Sequence, residues 1–123
     1  MPKEFSRSKR VGDLIQRELA GLIQRQLHET AVGMVTISTT DVSPDLKNAT
    51  IYVTCIGNTM DTDQVVAILN QHIGEFRHVL SKSLTMRSIP RLHFEYDHTL
   101  ERANRLTALI DSLHTEKSTS KHD

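Results

Sequence analysis

The sequence predicts an α+β fold in which a three-stranded sheet is covered by helices on one side and followed by a C-terminal helix. Three patterns predict it. Apolar residues recur every three or four positions over residues 8 to 27 and again over 65 to 84, which is the period of an amphipathic helix. Residues 34 to 42 and 48 to 56 are rich in Val, Ile, Thr and Tyr, and Ala49, Ile51, Val53 and Cys55 alternate with Thr50, Tyr52 and Thr54. Leu92, Phe94 and Tyr96 alternate in the same way with His93 and Glu95, so a third strand follows the helices. Three strands with so few helices leave one sheet face wetter than the other.

The first helix carries Val11, Leu14, Ile15, Leu19, Leu22, Ile23 and Leu27 on one side and Arg10, Arg17 and Gln24, spaced seven apart, on the other. Gly33 ends the pattern. Ser43-Pro44-Asp45 supplies turn chemistry between the first two strands, because Pro presets φ and the Ser or Asp side chain bonds to nearby backbone. An antiparallel hairpin is expected. Gly57-Asn58 closes it, and Asp61 or Thr62 caps the next helix. Gly74 interrupts that helix, and the resumption at Phe76, Val79, Leu80 and Leu84 reads as a kink between two helices. Pro90 precedes the third strand. A last helix is expected over residues 100 to 113, with Thr99 as cap and Glu101 in its first turn. Residues 114 to 123 are too polar to pack and read as a disordered tail.

A chain of 123 residues is the size of one domain. Its 37% apolar content predicts a modest core. There is no apolar run long enough for a membrane span and no signal-peptide pattern, so a cytoplasmic protein is expected. The lone Cys55 permits no internal disulfide and sits among apolar residues, which suits a buried packing role in a reducing compartment.

Net charge is zero, but the charges are segregated. Residues 1 to 27 hold Lys3, Arg7, Lys9, Arg10, Arg17 and Arg25 against Glu4, Asp13 and Glu18. From 29 to 75 the one base is Lys47, among Glu29, Asp41, Asp45, Asp61, Asp63 and Glu75. Arg77, Lys82, Arg87 and Arg91 then follow with no acid up to Phe94. A dipolar molecule is implied, whose two basic segments can merge into one face.

Catalytic chemistry finds little purchase. The five glycines at 12, 21, 33, 57 and 74 never cluster, so no phosphate-cradling loop or dinucleotide fingerprint is present. No Gly-x-Ser-x-Gly elbow exists, and Cys55 has no sequence signature for an activating His. The seven His include no His-x-x-x-His pair, and Asp61-x-Asp63 lacks the rest of a calcium loop and reads as helix-start acids. No enzyme, cofactor, metal or small-molecule substrate is expected. The arginine-rich face points instead to phosphate, since a guanidinium presents a planar fork of donors. Two Tyr and three Phe, with no exposed-looking cluster, favour contacts to folded RNA backbone over base stacking. A protein-interaction adaptor working through the acidic middle zone is the alternative.

The order helix, strand, strand, helix, kink, helix, strand resembles a type II KH domain. Arg10-Val11, the run Val42-Ser43-Pro44-Asp45-Leu46 with Ala49 and Tyr52-Val53, and Leu80, Arg87, Pro90, Leu92, Phe94 and Asp97 together resemble the ribosome-binding factor A family over about residues 4 to 113. The resemblance implies a late assembly factor that binds the free small (30S) ribosomal subunit and its 16S rRNA and supports rRNA processing and growth in the cold. It also implies a chaperone of assembly and not a nuclease, without the Gly-x-x-Gly loop by which ordinary KH domains clamp single strands; a monomer is the default expectation, because no long apolar edge demands a partner. At the kink the family has a small residue, any residue, then Gly, and this chain has His72-Ile73-Gly74. His72 departs from the usual Ala and reads as a helix-end ring bonding a free carbonyl. Arg91 stands where the family often has Glu. Charge places the RNA-binding residues at Arg7, Lys9, Arg10, Arg17, Arg77, Lys82, Arg87 and Arg91.

Overall fold

The computed structural model describes the backbone of residues 3–27, 30–86 and 88–122, and the side chains of 7–27, 31–86 and 88–114. Helix α1 spans Lys3–Gln26 and begins before the expected residue 8. A single 3-10 turn, Thr30–Val32, leads into β1 (Met34–Val42), and β2 follows as Asn48–Ile56. Then come α2 (Thr62–Gln71), α3 (Ile73–Ser83), β3 (Arg91–Tyr96) and α4 (Thr99–His122). The sheet order is β1-β2-β3, with β1 antiparallel and β3 parallel to β2. The α2–α3 pair is therefore the crossover that a parallel pairing requires.

Alternation decides the faces. Val35, Ile37, Ala49, Ile51, Val53, Leu92 and Phe94 point inward and are buried, while Thr36, His93 and Glu95 face solvent with the half-buried Thr50, Tyr52 and Thr54. A bulge at Ser38 shifts the register between Ile37 and Thr39. The extra residue turns Val42 inward, so β1 keeps its apolar contact with α1 along its whole length. Against this face pack Ile15, Leu19, Leu22 and Ile23 of α1, Val65 and Leu69 of α2, and Phe76 and Leu80 of α3. The Phe76 and Phe94 rings meet edge to face at 5.8 Å.

Two glycines are demanded by geometry. Gly33 has φ +72°, and a Cβ there would sit on the Ile56 carbonyl oxygen and 2.6 Å from the Asn58 nitrogen. Gly12 lets α1 approach β1, since a Cβ would lie 3.2 Å from the Thr40 carbonyl oxygen.

The helix break lies within the expected His72-Ile73-Gly74 kink, at its first residue. The break falls at His72 (φ −94°, ψ 3°), which ends α2 and starts α3, whereas Gly74 lies inside α3, exposed, with open space around it. His72 Nδ1 lies 2.9 Å from the Ile68 carbonyl oxygen, so the ring serves a carbonyl at the end of α2. The ring also stacks on Phe76 at 6.0 Å. The side chain thus supplies a reason to stop, which a glycine of ordinary φ does not.

The last helix also differs from expectation. It continues past residue 113 through the polar segment read as a tail, as far as His122. A helix once nucleated adds residues at little cost, and Glu, Lys and Ser do not stop it as Gly or Pro would. Leu100, Leu106, Leu109, Ile110 and Leu113 on α4 are 46–67% exposed, so this helix stands off the core.

Candidate nucleic-acid interface

The β1–β2 turn is tied from within. Ser43 Oγ donates to Asp45 Oδ1 (2.6 Å), which also accepts the Lys47 N–H (3.1 Å), and the Asn48 N–H donates to Ser43 Oγ (3.0 Å). These bonds, the Ser43 hydroxyl first, hold the Asp45 carboxyl below its ordinary range. Leu46 takes φ 62°, a left-handed conformation costing on the order of 1 kcal/mol for a branched side chain. Its side chain packs against the core, which offsets that cost. The Lys47 carbonyl accepts the Arg91 N–H at 2.8 Å, fastening the turn to the start of β3.

Around this turn lie two adjoining clefts. One, of about 430 Å³, brings Lys47, Arg77 and Arg91 together beside Asn48 and Ser88. Arg77 is fixed by donating Nη2–H to the Ile89 carbonyl at 2.9 Å. Among the described residues no acid lines this cleft. The second, of about 450 Å³, lies between Arg7 on α1 and Lys47, with Asp45, Thr85 and Met86. The carboxylate–base contacts among the described residues are His93–Glu95 and His98–Glu101, which are charged only when the imidazole is protonated, and neither involves a Lys or Arg. Asp45, two residues before Lys47 and in the adjoining cleft, is the nearby acid and attracts Lys47, but three converging cations outnumber it and make an anion site, and phosphate matches the donors.

The structure thus places Arg77 and Arg91 of the second basic segment in one cleft and Arg7 of the first in the cleft that adjoins it. Lys9, Arg10 and Arg17 are exposed on α1 but line neither cleft, and Lys82 is likewise exposed in the last turn of α3. Arg87 lies outside the described residues. Lys47 was overlooked because it is the lone base of the acidic zone. Its position just after the Ser43-Pro44-Asp45-Leu46 turn was the signal available. His72 and Ile73 are half-buried at the α2–α3 break and line neither basic cleft, nor does the exposed Gly74.

The far end of β3 is built differently. A cleft of about 310 Å³ there is lined by Asp63, Asn70, His93, Glu95, Tyr96 and His98, among others. Asn70 closes the strand edge by donating to the Phe94 carbonyl (3.2 Å) and accepting the Phe94 N–H (2.9 Å). Glu95 lies 3.3 Å from His93, and Glu101 3.2 Å from His98. Asp97 accepts the Ser38 hydroxyl (2.6 Å) and the Thr99 N–H (2.9 Å), bonds that lower its pKa to about 2. Cys55 is half-buried, and burial pushes its thiol up, which disfavours the thiolate. No group of three or more metal-ligating side chains occurs among the described residues. No described helix is long and apolar enough to cross a membrane.

The family model described as ribosome-binding factor A matches residues 7–110. A curated relative of that name from Nitrosococcus oceani is 46% identical over 123 residues, covering 100% of this chain and 97% of its own length. Among solved structures, the crystal structure of ribosome-binding factor A from Thermus thermophilus superposes with a TM-score of 0.63 at 21% identity, covering 72% of this chain and 94% of that one. A second neighbour, with a TM-score of 0.61 at 22% identity and coverage of 70% and 90%, is a homology model of the Thermus thermophilus factor fitted into the cryo-EM map of its complex with the 30S subunit. At these identities the two structures show the fold.

Proposed function

The chain belongs to the ribosome-binding factor A family, and on that premise we propose that it binds the free small ribosomal subunit through 16S rRNA. It acts in the cytoplasm as a monomeric chaperone of late subunit maturation, aiding rRNA end processing and growth in the cold, without catalysis of its own. The observation that carries this reading is the acid-free cleft of Lys47, Arg77 and Arg91. Arg7 extends the positive surface onto α1, and Lys9, Arg10, Arg17 and Lys82 add charge beyond the clefts. The KH-like order of elements supports RNA as the partner, and a relative fitted to a 30S complex supports the subunit.

Cosedimentation with purified free small subunits at rising salt tests it. About three phosphate contacts predict that log K falls with log[salt] at a slope of roughly −2 to −3. A partner from cell extract that stays bound after nuclease treatment, with no association with the subunit, would favour the protein adaptor instead. Precursor rRNA accumulating in the cold when the chain is depleted tests the maturation role.

A further inference from the structure

The two clefts at the turn share Leu46, Lys47 and Ser88 yet differ in chemistry. The first holds three cations and suits a phosphate. The second has an apolar wall of Val11, Leu46 and Met86, a guanidinium at Arg7 and a carboxylate at Asp45. That carboxylate is ionised and repels a second phosphate. What suits such a wall is a flat heterocycle with N–H donors at its edge. Unstacked RNA bases lie on guanidinium planes and are read along their Watson–Crick edges, and the Met thioether is favourable against a ring. Asp45 Oδ1 is committed to the Ser43 hydroxyl and the Lys47 N–H, while Oδ2 takes none of the described hydrogen bonds.

We propose that the two clefts together seat one unstacked nucleotide, its phosphate on Lys47, Arg77 and Arg91 and its base against Arg7, Leu46 and Met86, with Asp45 Oδ2 accepting from the base edge. This rests on the rRNA-binding reading above. Guanine is the preferred base, because its N1–H and N2–H donors stand side by side. Uracil is the poorest, because its single N3–H is flanked by two carbonyls that face the carboxylate. Lys47 borders both clefts and so fixes the phosphate relative to the base. The site adds base selection to a surface otherwise read as a backbone binder.

Fluorescence anisotropy with hexauridylates that carry G, A, C or U at one inner position tests the proposal. The full-length chain is expected to prefer G over U by roughly 5- to 10-fold, the low end of what one good side chain–base pairing supplies. Asp45→Asn keeps the Oδ1 acceptor that ties the turn and replaces Oδ2 by a donor, so the preference should collapse or turn toward U. Arg7→Ala, at an exposed position on the opposite wall, should shrink the same preference without disturbing the turn. Arg91→Ala should weaken all four oligomers alike. Equal binding of the four by the unaltered chain, or a G preference that survives both Asp45→Asn and Arg7→Ala, overturns the single-nucleotide site. If no oligomer binds while small subunits still do, the site fails and the rRNA reading stands. If small subunits also fail to bind, that reading falls as well.

Discussion

The two ends of β3 carry opposite chemistry on one strand. At its start, Lys47, Arg77 and Arg91 converge with no acid among them, and the bonds that fix them run to backbone: Arg77 to the Ile89 carbonyl, and the Arg91 N–H to the Lys47 carbonyl. At its far end three of the acids have side-chain or backbone partners, Glu95 and Glu101 beside His93 and His98, and Asp97 accepting from Ser38 and Thr99, with Asp63 lining the same cleft. The acids of the far end face hydroxyl, imidazole and N–H partners of this chain, whereas the cations at the start face one another, with the one bond from a guanidinium, that of Arg77, made to a neutral carbonyl. The difference separates a surface that stabilises the chain from one that is available to an anion.

The largest effect should come from reversing charge at one end only. Lys47→Glu with Arg91→Glu is expected to reduce affinity for the small subunit by about 100-fold or more, since two attractive phosphate contacts become repulsive. Asp63→Lys with Glu95→Lys, at the other end, should leave it within a few fold. Comparable losses from both pairs, measured by the same cosedimentation, would erase the distinction between the ends.

Next in size is the edge of β3. Asn70→Ala removes both partners of the Phe94 backbone in a part-buried setting and should cost about 2 kcal/mol of unfolding free energy in urea, leaving subunit affinity unchanged. His72→Ala should cost about 1 kcal/mol by losing the Ile68 carbonyl bond and the Phe76 stack. Gly74→Ala should instead stabilise by up to about 0.5 kcal/mol, as a first-turn glycine with open space around it would. A destabilising Gly74→Ala would return the kink to the glycine.

The acidic end also predicts a pH dependence. Asp97 has its pKa depressed to about 2 in the folded chain, so its contribution is complete above the ordinary carboxylate value near 3.8 and is lost as pH falls through about 2. Thermal melts of the unaltered chain and Asp97→Asn should differ above pH 4 and converge toward pH 2. The smallest effect is expected from ending the chain after Glu101. Because the apolar residues of α4 stand exposed, the melting temperature of the remaining domain should move by no more than a degree or two.

Much of this architecture was legible in local patterns. Strands β1 and β2 fell at residues 34 to 42 and 48 to 56 because β-branched runs and a Ser-Pro-Asp turn set their limits. The charge zones were equally plain, since they are contiguous in sequence. What escaped depends on contacts between distant residues. Lys47 joins Arg77 and Arg91 only because β3 pairs in parallel with β2, placing Asn48 opposite Arg91. Within the expected His72-Ile73-Gly74 kink, residue type draws attention to Gly74, whereas the side chain–carbonyl bond four residues back falls at His72. The extent of α4 was missed because polarity predicts exposure and says little about whether an exposed backbone is helical.

The most direct measurement is the salt dependence of small-subunit binding for the unaltered chain beside Lys47→Ala, Arg77→Ala and Arg91→Ala. The acid-free cleft predicts a steep negative slope that becomes shallower by roughly 0.7–0.9 for each phosphate contact removed. A flat dependence, or a steep one that none of the three substitutions changes, would contradict it.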